Sequence, residues 1–186
     1  MRPRPIRLLT YNIHKGIGGR DRKYSLERVI EVIAHEKPDL ACLQEVDHDA
    51  RRSSHDDQPN RLAEALGLEH CLYQVNHRLK RGGYGNLVLA RWPFASKHQV
   101  SLKYGWRKTR GAQMVRVQTP WGGLHVVNWH LGLAEHERHW QVNHLLEHDL
   151  FRQGHGLPTL IVGDTNDWRQ TLERGPFRRH GFQGPR

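Results

Sequence analysis

At 186 residues, with 37% hydrophobic and 26% charged residues, the chain fits one domain able to bury a sizeable core. No apolar run approaches the ~20 residues of a membrane-spanning helix, and Met1-Arg2-Pro3-Arg4-Pro5 lacks the apolar stretch and cleavage site of a secretory signal. Lys and Arg number 29 against 19 Asp and Glu, a net charge of +10 before fifteen histidines are considered, which favours anionic partners: nucleic acid, phospholipid head groups or phosphorylated metabolites.

Ile6 to Ile13 is rich in β-branched and aromatic residues and predicts a first strand. Leu26, Val29, Ile30 and Ile33 recur at helical spacing, so a helix is expected from Ser25, near its N-cap, to Glu36, with Pro38 ending it. Asp39 to Val46 predicts a buried strand, Asp47 to Asn60 a loop, and Arg61 to Leu66 a short helix stopped by Gly67. Leu68–Val75, Asn86–Arg91, Ser96–Leu102, Ala112–Thr119 and Leu124–His130 follow as strands, with turns at Gly82-Gly83, Trp92-Pro93 and Trp121-Gly122-Gly123. Ala134 to Phe151 is expected to be the longest helix, with Trp140, Leu145, Leu146 and Leu150 in the core, before a last strand at Thr159–Val162. Many strands with a few helices predict an α/β (α+β) sandwich, two packed, mostly antiparallel sheets with helices outside. Cys42 and Cys71 sit in apolar segments without metal-ligand spacing and read as buried thiols of a reducing, cytoplasmic compartment, a disulfide being the other reading.

Four polar motifs close apolar runs. Glu45 ends Asp39-Leu40-Ala41-Cys42-Leu43-Gln44, where an unpaired carboxylate is costly to bury and a bound Mg²⁺ would satisfy it; a solvated glutamate is the other reading. Gly163-Asp164-Thr165-Asn166 follows Leu160-Ile161-Val162 and puts a proton acceptor beside an amide, as hydrolysis by an oriented water requires, although an Asx-type turn has the same composition. Asn12 and Asn128 are amides on otherwise apolar strands that could bind phosphate or tie down a loop, and His130 is one of fifteen histidines.

Their joint order carries more. Thr10-Tyr11-Asn12-Ile13-His14, Leu43-Gln44-Glu45-Val46, Gly85 to Pro93, Val127-Asn128-Trp129-His130-Leu131 and Gly163 to Trp168 resemble the successive motifs of the endonuclease/exonuclease/phosphatase superfamily, the DNase I-like fold. Thr10 to Gly16 resembles small bacterial members associated with cardiolipin synthase. The resemblance implies a four-layer α/β-β/α sandwich and a phosphoesterase in which Glu45 and Asn12 hold Mg²⁺ or Mn²⁺. Asp164 would orient or deprotonate the attacking water, Asn166 and Asn128 would contact phosphate, and His130 would bind a phosphoryl oxygen or assist the leaving group; Arg110 would add positive charge beside the phosphate, a solvated arginine being the other reading. Such members end with an aspartate and a Ser-Asp-His signature, and nothing after Asp167 matches it. The expectation is therefore a single domain over 1–186, truncated at its C-terminus, with the final strands and one catalytic histidine missing and activity reduced or lost. The substrate stays open between nucleic acid, on which Tyr104, Trp106 and Trp129 could stack beside Arg78–Arg81 and Arg107–Arg110, and a phospholipid or phosphorylated small molecule.

Overall fold

The computed structural model describes residues 5–184. Eight strands form two four-stranded sheets: β1 (Leu8–Asn12), β2 (Leu40–His48), β3 (His70–Arg78) and β4 (Gly83–Ala90) in the order β1-β2-β4-β3, and β5 (Phe94–Ser101), β6 (Gly111–Thr119), β7 (Gly122–His130) and β8 (Thr159–Asp164) in sequence order. Each sheet is antiparallel except for one parallel pair, β1 with β2 and β7 with β8.

Period-two alternation builds the layers. In β2, Ala41 and Leu43 pack under α1 (Leu26–Glu36) and α2 (Gln58–Leu66), while Leu40 and Cys42 face the other sheet. In β7, Val127 and Trp129 pack under α3 (Glu135–Leu146) and α4 (Asp149–Arg152), while Leu124 and Val126 face inward. Helices thus cover both outer faces, the four-layer sandwich that the sequence predicts.

The layer between the sheets changes character along the strands. At one end Leu40, Cys42, Val88, Ala90, Val115, Val117, Leu124 and Val126 form an apolar core. Towards the other end the same inward positions carry Gln44, Asn86, Gln113, Asn128 and His130, all buried. A buried polar layer must be hydrogen-bonded internally, and it positions the site.

Local signals explain the helix bounds. Ser25 Oγ accepts from Arg28 N at the start of α1, and Lys37 closes it in a left-handed conformation before Pro38. The expected Arg61–Leu66 helix starts three residues earlier because Asp57 caps it and Pro59 lies in its first turn. The single helix expected over Ala134–Phe151 is two: His148 turns extended, and its Nδ1 accepts from Leu150 N to start α4. Trp140, expected in the core, lies on the outer face, stacked on His144 and against Tyr104; Leu145 and Leu146 fill the core as expected, joined by Val142, with Leu150 packed against it. Cys42 and Cys71 are free thiols, Cys42 fully buried. Among the described residues no helix is long and apolar enough to cross a membrane.

Candidate active site at the polar end of the sandwich

The edge strands β1 and β8 lie against one another across the two sheets, and their last residues meet. Asn12 Nδ2 donates to Asp164 Oδ2 at 2.8 Å, while Asn12 Oδ1 accepts from His14 N at 3.0 Å, so both ends of the amide are fixed. His130, last in β7 and paired with Asp164 in register, places Nε2 3.6 Å from the same Oδ2. Asp164 Oδ1 accepts from Asn166 N at 3.1 Å in an Asx-type turn, and Asn166 Nδ2 donates to Leu131 O at 3.0 Å. Gly163 allows this approach: its φ is +128°, and a Cβ there would lie 2.0 Å from Trp129 O.

Glu45 arrives differently. The sequence places it near a strand end, but β2 runs on to His48 and Glu45 sits at a bulge where pairing with β4 slips between Leu43 and Val46. Its φ is +57°, and the inserted residue flips the parity, so that Val46 joins Leu43 on the helix side. The bulge turns the Glu45 carboxylate to the Lys15 ammonium, a mostly buried ion pair. Lys15 is itself left-handed at the turn after β1, and its carbonyl accepts from Gln58 Nε2.

The charges are set by this packing. Burial, reinforced by Arg110, holds His130 down at about 4 despite Asp164 and Glu45, so the imidazole is neutral at pH 7 and one ring nitrogen can donate a hydrogen bond. Burial opposes ionisation of Glu45, but the hydrogen bond and charge of Lys15 outweigh it and keep the carboxyl below its usual range. Arg110 is 7% exposed beside Gly111, which pairs with His130; burial lowers its pKa, and its Nε has no hydrogen-bond partner among the described residues.

Asn12, Glu45, His130, Asp164, Asn166 and Arg110 therefore gather at one end of the sandwich. Asn128 does not face the cleft. It is fully buried, accepting from Gln44 Nε2 at 2.8 Å and donating to Gln113 Oε1, Leu43 O and Leu87 O, which bolts the sheets together beneath the site. Trp129, expected to stack on bases, is fully buried because its strand position faces α3; Tyr104 packs against His136 and Trp140, and Trp106 alone of the three is fully exposed. Sequence reasoning missed Lys15, which lies inside the first motif and pairs with Glu45 only through the bulge. It also missed Tyr84, a tyrosine buried under cations, for which spacing gives no signal.

The donors suit a hard cation. Glu45 already holds a positive charge, and Asn12 Oδ1 is a second oxygen in the cleft. Among the described residues no three His, Cys, Asp or Glu side chains converge. Mg²⁺ needs only one or two carboxylates and keeps its waters, whereas a structural zinc site requires a fuller set.

Residues 9–185 match the model of the endonuclease/exonuclease/phosphatase family. Escherichia coli K12 YbhP, an uncharacterized protein, is 31% identical over 174 residues, 89% of this chain and 68% of YbhP. An endonuclease/exonuclease/phosphatase from Beutenbergia cavernae superimposes with a TM-score of 0.76 at 28% identity, over 92% of this chain and 50% of that one. ANGEL2, a 2′,3′-cyclic phosphatase, superimposes with a TM-score of 0.70 at 19% identity, over 95% of this chain and 57% of ANGEL2, a likeness of fold. The chain thus spans about half the length of the Beutenbergia cavernae structure. With nearly all of its length matched and its ordered motifs gathered at one end of a four-layer sandwich, the chain belongs to the endonuclease/exonuclease/phosphatase family.

Proposed function

We propose that the chain is a metal-dependent phosphoesterase that cleaves a phosphodiester by in-line attack of water. The observation that carries this is the meeting of Asn12, Asp164 and His130 at the facing edges of the two sheets, beside Glu45. Asp164 accepts a proton from the attacking water, and its carboxylate is held in place by Asn12 Nδ2 on Oδ2 and Asn166 N on Oδ1, each oxygen keeping a second lone pair for the water. Neutral His130 donates to a phosphoryl oxygen, and Arg110 supplies buried positive charge that a phosphate would neutralise. Glu45 and Asn12 would hold Mg²⁺ or Mn²⁺, which when bound supplies Lewis-acid stabilisation of charge on the phosphoryl oxygens. Asn166, which shapes the Asp164 turn and spends one amide hydrogen on Leu131 O, keeps its second Nδ2 hydrogen for a phosphate oxygen and Oδ1 for a water or substrate hydroxyl.

The test is hydrolysis of bis(4-nitrophenyl) phosphate, plasmid DNA, RNA and phospholipid with and without Mg²⁺, beside Asp164→Ala. Mg²⁺-dependent turnover lost in the variant is the expected result, and the preferred substrate names the partner class. Equal signal from both proteins would sink the assignment. Tight binding of phosphate esters without turnover would instead identify a catalytically impaired family member.

A further inference from the structure

Beyond the scissile position, the cleft holds a second concentration of positive charge. Tyr84 of β4, only 6% exposed and paired with Asp47 of β2, is ringed by three cations: Arg52 Cζ lies 4.8 Å, Lys108 Nζ 5.0 Å and Lys15 Nζ 5.7 Å from the ring centre. They come from three separate segments: Lys15 from the turn after β1, Arg52 from the turn after β2, and Lys108 from the β5–β6 loop of the opposite sheet. A cation over an aromatic face gains about 0.5–1 kcal/mol at an exposed site, too little to gather three like charges without anions among them. Two have one. Arg52 grips buried Asp47 through two hydrogen bonds of 2.7 and 2.9 Å, and Lys15 is paired with Glu45. Lys108, exposed, has no carboxylate within ion-pair distance among the described residues, and neighbouring Arg110 keeps a buried Nε without a partner. The cluster adjoins the reacting groups: Lys15 links it to Glu45, and Arg110 precedes Gly111, the register partner of His130.

We propose that the Tyr84 cluster is a second anion subsite, in which Lys108, backed by Arg52 and Lys15, holds a phosphate of the substrate adjacent to the one that is cleaved. The proposal rests on the phosphoesterase reading, since the scissile phosphate lies at Asp164. The shared chemistry is two phosphates separated by a short polyol, found both along a nucleic-acid backbone and in a bisphosphorylated glycerol head group.

Calorimetric titration at fixed ionic strength tests it without turnover, using two probe pairs: AMP against adenosine 3′,5′-bisphosphate, and glycerol 3-phosphate against glycerol 1,3-bisphosphate. At least one bisphosphate should bind roughly tenfold more tightly than its monophosphate, a gain typical of a charge-assisted contact. Lys108→Ala should collapse that ratio to about threefold or less, and Lys108→Arg should restore it. Lys97→Ala, which removes one charge from β5 opposite Val115, should leave the ratio as it was. Preference in the nucleotide pair alone assigns the subsite to a nucleic-acid backbone, and preference in the glycerol pair alone assigns it to a lipid head group. Equal affinities within both pairs, or a preference indifferent to Lys108→Ala, would overturn the proposal. Hydrolysis of bis(4-nitrophenyl) phosphate, which has one phosphate, separates the two readings: an active enzyme without bisphosphate preference loses the subsite alone, and an inactive protein with that preference loses the hydrolase alone.

Discussion

Asn12 and Asp164 are 152 positions apart in sequence and share a 2.8 Å hydrogen bond between the edge strands of two different sheets. The bond spends one Asp164 oxygen on an amide whose own oxygen is tied to the backbone of the next turn. Asn12→Ala should therefore cost orientation more than folding. We expect kcat to fall about 10²-fold, the usual penalty for a misplaced reacting group, with a stability loss near 1 kcal/mol. Steady-state kinetics beside thermal melts would check this. A melt that collapses in parallel with the rate would mean that the bond serves the fold alone.

Gly163 sets where Asp164 arrives. Its φ of +128° disfavours any L side chain, and a Cβ would press on the backbone of Trp129 in the neighbouring strand. Gly163→Ala should destabilise by roughly 2 kcal/mol or more, because strain and clash act together, and should cost activity beyond that loss. Denaturant unfolding combined with rates measured well below the midpoint would separate the two effects.

Asn128 shows how far the sequence could be read. The ordered motifs locate the strands and bring Asn12, His130 and Asp164 to their ends, because a residue that closes an apolar run faces the rim. Asn128 sits two residues inside its run, and nothing in the pattern says that Gln44 and Gln113 would meet it from opposite sheets. The Glu45 bulge is equally silent, since one inserted residue leaves the composition of the strand unchanged. Period-two reading fails where the register slips, and the Lys15 pair depends on that slip. Asn128→Ala should leave Gln44 and Gln113 short of partners in a buried layer, destabilising by about 2–4 kcal/mol. The midpoint of urea unfolding should drop at an unchanged slope, with activity falling only as the folded fraction falls.

Acid should loosen the protein before its carboxylates titrate. His125 and His130 are both depressed from 6.5 to about 4, by burial first and then by Arg116 and Arg110 respectively; burial lowers His144 as well. Between pH 6.5 and 4 the unfolded chain takes up protons that the folded chain refuses. The stability these histidines contribute is thus complete above 6.5 and is lost as pH falls towards 4, by about 1.4 kcal/mol per pH unit for each fully differing group. Chemical denaturation at pH 7, 5.5 and 4.5 should show the decline, and His125→Gln should shallow it. A stability that is flat across this window would contradict the burial of both rings.

Lys15 occupies the carboxylate that a metal would need. Replacing it by Met removes the counter-charge from mostly buried Glu45, so the metal-free protein should melt several degrees lower. The same change removes a competitor for the cation. Added Mg²⁺ or Mn²⁺ should then bind about tenfold more tightly and raise the melting temperature by more than in the unmodified chain, since binding to the folded state stabilises in proportion to the logarithm of affinity. Glu45→Gln should show neither response. Calorimetric metal titration of the three proteins decides the matter: if Lys15→Met and the unmodified chain bind alike, the cation sits elsewhere in the cleft, and the Lys15–Glu45 pair is a structural strut instead of a placeholder.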